Sequence, residues 1–244
     1  MGIRSSENLP GSSLLEELTP LAAATAAFVL WHLVVASTAV REPLIRRLGR
    51  LRFAGLFSAG ALAGLAAMVM TYGNAPYVEL WAASTSVRHL SLSVMPVACI
   101  LVVAGASTPN PSTVGMDMPA ARVAEVSGIL TVTRHPLMWG IGLFGLCHML
   151  ANGDAASQIL FGGVAFLALY GTRRLDAKKR RSMGERWRHF EDATSNLPFA
   201  AIIQKCAVYD FPGIGWPRVI GGLALYVVLL LIHGEAFGVV PWAV

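Results

Sequence analysis

The stretch LAAATAAFVLWHLVVASTAV, residues 21–40, runs for twenty residues without a formal charge. A run of that length and character is about what an α-helix needs to cross a hydrocarbon layer. Within lipid, only helices and closed barrels satisfy their own backbone hydrogen bonds. Further apolar runs follow at Phe53–Tyr72, Leu90–Ala106, Pro136–Ala151, Ser157–Thr172 and Val219–Val240. Hydrophobic residues make up 55% of the 244 and charged residues 14%, against about a quarter charged in an average soluble domain. These runs predict an all-α polytopic membrane bundle of about six transmembrane helices. Residues 1–20 read as an extracytoplasmic N-terminal segment and 21–244 as one integral domain. Glu16 and Glu17 stand where a secretory leader has a basic region, so the first run is expected to be retained.

The connections carry their own signals. Gly60 and Gly64 are spaced for close helix contact in the second span. Pro109, Pro111 and Pro119 mark Ser107–Val126 as a loop, and Asn152-Gly153-Asp154 as a tight turn between the fourth and fifth spans. With the amino terminus outside, the cytoplasmic loops hold seventeen of the nineteen basic residues, leaving only Arg4 and Arg88 outside. The expectation is a multi-pass membrane protein with both termini outside the cytoplasm. Topology thereby accounts for the net charge of +5, and no nucleic-acid partner is expected. In the third cytoplasmic loop, Met183, Trp187 and Phe190 share one helix face. The basic residues around them predict an amphipathic helix on the anionic inner leaflet, or a lid over a site between the spans.

Ionisable groups inside spans are costly and mark function. Four histidines lie in or at the ends of spans: His32, His135, His148 and His233. Helix rise places His32 about 17 Å, His233 about 10 Å and His148 about 5–10 Å below the outer edge. His135 falls on the cytoplasmic side. Neutral imidazoles on separate helices can hold haem iron between them, whereas an interhelical hydrogen bond accounts equally well for any single one. Trp31 and Trp139 are candidates to stack on a flat cofactor, or to pack. Cys99, Cys147 and Cys206 have neither zinc-site nor disulfide-framework spacing. The H-E-x-x-H and G-x-S-x-G patterns and phosphate-cradling glycine loops are absent.

RHPLMWG (Arg134–Gly140) is followed by CHMLANGD (Cys147–Asp154). With Trp31-His32, WRHFEDATSNLPF and the terminal HGEAFGVVP, the chain after its first twenty residues resembles the NnrU family. It is also similar to the related zeta-carotene isomerases. The resemblance implies an integral membrane protein associated with denitrification, that is, with nitrite and nitric oxide metabolism. From the isomerases it implies haem b and redox-dependent isomerisation of a cis double bond, with His32 and His148 as the iron ligands. His135, with Arg134, matches the RHP motif, and His233 the carboxy-terminal histidine. Three residues before His148, where the isomerases have cysteine, this chain has Gly145, so a sulfur role does not carry over. Implied partners are the lipid bilayer and an apolar substrate or a respiratory redox partner.

RHP followed by G-E-x-W-x-x-F (Gly184–Phe190) also resembles membrane methyltransferases of the isoprenylcysteine type. That likeness groups Arg134, His135, Arg186 and Trp187 around S-adenosylmethionine. Asp176 stands roughly where those enzymes carry paired glutamates. A cofactor-free assembly or accessory factor is the third reading.

Overall fold

The computed structural model describes residues 11–111 and 126–242, with side chains from residue 14 onward. Pro119 and Arg122 of the expected loop, and residues 1–10, lie outside the described residues. Every element named below is a helix. Helix α1 (Gly11–Leu30) continues into a π-helical turn at Trp31–Val35, followed by α2 (Thr38–Leu48), α3 (Arg50–Gly73) and α4 (Thr85–Ser107). A short α5 (Ile129–Val132) precedes α6 (Pro136–Asn152), α7 (Ala155–Met183) and α8 (Glu185–Asp192). Two more short turns, α9 (Ala200–Ile203) and α10 (Phe211–Ile214), lead to α11 (Trp216–Phe237).

Five of these are long and apolar enough to cross a membrane: Leu14–Val35, α3, α4, α7 and α11. Helix α6, at seventeen residues, sits at the lower limit of length for a sixth crossing. The third span, expected over Leu90–Ala106, is the 23-residue α4, because Ser84 caps it and its first turn takes in Arg88. The surfaces of the spans remain apolar: Leu223, Val227, Val228 and Leu231 of α11 are all exposed. Lipid is the solvent that such a surface fits.

The chain divides into two units. In the first, residues 1–82 and 152–163, α1 packs on α3 through the predicted glycines. A Cβ at Gly60 would fall on the Trp31 ring, and one at Gly64 would sit 3.1 Å from Phe28. The Tyr72 hydroxyl bonds the fully buried Ser157 at 2.8 Å. The Asn152-Gly153-Asp154 turn forms as read. Gly153 has φ +71° beneath the Trp81 carbonyl, and the Asp154 carboxylate accepts from the Ser157 amide at 2.9 Å, capping α7.

In the second unit, residues 83–151 and 164–244, α4 is the central helix. Gly222 of α11 lies on Ile100, while Gly140 of α6 lies on Ala98 and Val102, where a Cβ would come within 2.7 Å of the Ala98 carbonyl. Gly105 of α4 leaves the same room for the backbone of Leu137. Small residues let apolar helices approach where no hydrophobic force drives them together. Around the last turns of α4, Leu101 and Ala104 join Ile129, Leu130, Val132, Trp187, Phe190 and Ile214 in a buried core.

Candidate functional site

His32 sits in the π-helical turn that ends the first long helix. Such turns recur at functional positions. This helix stops at Val35 rather than Val40, so His32 is three residues from its end. Its Nδ1 lies 2.8 Å from the Phe28 carbonyl, and its ring packs at 4.4 Å from Phe28 and 5.3 Å, edge on, from Phe57. The neighbouring Trp31 is committed to packing, donating from Nε1 to the Phe57 carbonyl at 3.1 Å.

His148 and His233 belong to the second unit, each four residues before the end of its helix, α6 and α11. Their ring centroids are 6.5 Å apart with planes at 20°. His148 Nδ1 lies 2.9 Å from the Phe144 carbonyl and His233 Nδ1 2.8 Å from that of Val239. Carbonyls only accept, so a neutral ring at each of the three positions carries its proton on Nδ1 and leaves Nε2 as the lone-pair nitrogen. This is the tautomer in which imidazoles bind metals through Nε2, with a backbone carbonyl fixing the ring.

His135 lies at the opposite end of α6 from His148, about 20 Å away along the helix. It is part of a sealed polar cluster. Its Nε2 donates to Asp176 Oδ1 at 2.7 Å. Arg134 donates from Nε to both Asp176 oxygens at 3.2 Å and from Nη2 to Oδ2 at 3.0 Å. The same guanidinium reaches Glu191 Oε1 at 3.2 Å and the Thr194 carbonyl at 3.1 Å. Arg180 also pairs with Glu191, and Asn196 ties Asp176 to Thr172 and Trp139. Arg134, His135 and Asp176 are 7%, 2% and 3% exposed, so the Arg134 and Asp176 charges depend on each other. Among the described residues, His135 Nδ1, Trp187 Nε1 and, away from this cluster, Thr25 Oγ1 are buried without a hydrogen-bond partner.

The cluster depends on a fold-back that the sequence pattern only half announced. Gly184, at φ +56°, breaks the line between α7 and α8. The predicted apolar face of Trp187 and Phe190 is present, with Met183 alongside, but its partner is the protein core rather than the lipid surface. Glu191 is thereby brought back beneath Arg134. Asp176, Glu191 and Asn196 were not expected as site residues. The available signal was Asp176, an acid set between Arg173-Arg174 and the four consecutive bases of residues 178–181. Of the four residues grouped by the methyltransferase likeness, Arg134 and His135 are bound into the cluster, Trp187 is in the core and Arg186 is exposed.

Between α4, α6 and α11 lies an open apolar recess. It is lined by Met95, Cys99, Val102, Ile141, Phe144 and Leu229, among others, with no polar surface. Among the described residues, no cluster of three or more His, Cys, Asp or Glu could hold a bare metal ion.

Spanning helices that carry carbonyl-anchored histidines, with a sealed Arg–His–Asp cluster at one end of α6, define an all-α integral membrane protein. The family model described as NnrU protein matches residues 20–241, and the chain belongs to the NnrU family. It is similar to the chloroplastic 15-cis-zeta-carotene isomerases of Zea mays, 33% identical over 88 residues, and of Arabidopsis thaliana, 32% over 89 residues. Each match covers 36% of this chain and 24% of the relative. The matched stretch is thus about a quarter of the length of those relatives. No solved structure matches.

Proposed function

We propose that this protein binds haem b through its intramembrane histidines, His32, His148 and His233 being the candidate ligands. The observation that carries this reading is the shared anchoring of Nδ1 on a backbone carbonyl in all three. It presents neutral Nε2 nitrogens inside apolar helices, the donor that haem iron takes. When bound, haem would supply one-electron redox chemistry at the iron.

The chain's own residues divide the remaining work. Phe144 and Phe237 pack against His148 and His233 and hold the two rings. The apolar recess beside Phe144 offers a surface for an apolar, conjugated molecule. Arg134 and His135 fix the start of α6, the helix that carries His148, because Asp176 and Glu191 neutralise the guanidinium. They act as positioning residues. The setting we infer is the bacterial inner membrane with both termini outside. The activity there is either redox-dependent isomerisation, as the likeness to the carotenoid isomerases supports, or a role in nitrite and nitric oxide metabolism.

The test is the visible spectrum of the detergent-purified, full-length protein made with ample haem supply. A Soret band that weakens in His148→Ala supports the reading. A colourless but folded wild type sinks it, and S-adenosylmethionine binding, with Arg134→Ala as control, is then the next measurement.

A further inference from the structure

We propose that residues 197–216, between the sealed polar cluster and α11, form a membrane-interface element that lies in the headgroup layer and dips its apolar side chains among the acyl chains. The outward face of this segment is rich in apolar groups. Ile203 and Val208 are 77% and 86% exposed, and Leu197, Phe199, Tyr209 and Phe211 are exposed with them. An exposed apolar patch of this kind marks a surface that is covered in use.

The polar groups of the segment turn the other way. The Phe199 amide donates to the Val132 carbonyl at 2.8 Å, and the Thr133 hydroxyl to the Asn196 carbonyl at 2.7 Å. The Ala201 amide donates to Ser195 Oγ at 2.9 Å. Backbone groups satisfied within the protein are what a segment needs to enter a layer poor in water. Asp210 is the one acid of residues 197–215 and Lys205 the one base. The Asp210 carboxylate accepts from the amides of Gly128 and Gly213 at 2.8 and 2.9 Å, whereas Lys205 is exposed. An anionic headgroup layer fits that arrangement. Phe199 and Lys205, on either side of α9, have left-handed backbone at φ 64° and 59°. Residues of this size adopt it rarely, and it persists where the surrounding structure imposes it.

The covering partner follows from what the patch joins. Helix α11 begins at Trp216 and runs for 22 residues, about 33 Å, against a hydrocarbon core of about 30 Å. Trp216 therefore sits at one boundary of that core, and the residues just before it at headgroup level, where Trp and Tyr gather. Tyr209, Phe211 and Trp216 form an aromatic row with centroids 6.3 and 5.6 Å apart. The row runs directly into Ile220 and Leu223 on the exposed apolar surface of α11. The membrane-surface role expected of Trp187 and Phe190 thus falls to the loop that follows them.

The experiment measures nitroxide depth on the full-length chain in vesicles of phosphatidylethanolamine and phosphatidylglycerol. The background is Cys206→Ser, since the other two cysteines are buried. Labels go on Ile203→Cys, Val208→Cys and Phe211→Cys. Leu223→Cys of α11 is the lipid reference, and Glu185→Cys of α8, where the side chain is 73% exposed, is the water reference. Circular dichroism checks the helicity of each variant, and any one labelled position that folds decides the matter. The ratio of oxygen to nickel-chelate accessibility should be severalfold higher at the three loop positions than at Glu185→Cys, and closer to that at Leu223→Cys. A ratio equal to that at Glu185→Cys overturns the proposal. Protection from both reagents also overturns it, because a second copy of the chain then covers the patch.

Discussion

The carboxylate of Asp176 accepts from Nε2 of His135 at 2.7 Å, and the His135 side chain is fully enclosed. The same carboxylate takes the Arg134 guanidinium, so one acid on α7 holds two consecutive residues at the start of α6. Removing one partner of a buried ion pair costs about 3–5 kcal/mol, because the other charge stays buried and unmatched. Asp176→Ala is expected to lower the thermal midpoint in detergent sharply, and Asp176→Glu by less. Equal midpoints for wild type and Asp176→Ala would show that the cluster contributes no stability.

The helix crossing at Gly140 makes a second prediction. A Cβ there meets the Ala98 carbonyl and Val102 at 2.7 Å, and overpacking of this kind typically costs 1–3 kcal/mol. Gly140→Val should destabilise the second unit. Gly55→Ala, with nothing within 4 Å of the added carbon, should be neutral or slightly stabilising through helix propensity. Comparable losses in both variants would argue against α4–α6 packing at this glycine.

Trp187 separates a core role from a lipid-surface role. It is fully buried, and truncating such a side chain costs about 3–5 kcal/mol. Trp187→Ala should therefore unfold at a clearly lower temperature, whereas Arg188→Ala, at an exposed position of α8, should stay within about 0.5 kcal/mol of wild type. If Trp187→Ala keeps its midpoint and loses only affinity for anionic vesicles, the helix is a membrane-surface element after all.

Orientation is testable by fusion. The basic residues at 41–52 and 173–218 belong to the cytoplasmic side under the charge rule. A phosphatase reporter after Val244 should be active, and one after Arg181 silent. The reverse pattern would invert the proposed topology.

The sequence by itself determined the all-helical membrane character, because a twenty-residue uncharged run has few alternatives in water or lipid. It also determined the Gly60–Gly64 contact and the turn at Gly153, since only glycine tolerates that close approach and that backbone angle. Within the described residues, what it could not determine was which polar groups meet. Asp176 and His135 are 41 residues apart, and His148 and His233 sit on different helices. Their distances follow from how α4, α6, α7 and α11 pack and from two left-handed glycines, Gly184 and Gly238. The apolar face of Trp187 and Phe190 was legible as a pattern, but hydrophobic periodicity is the same for a lipid surface and a protein core. Only the tertiary structure decided between them, because burying that face against Leu101 and Ile129 also delivers Glu191 to Arg134.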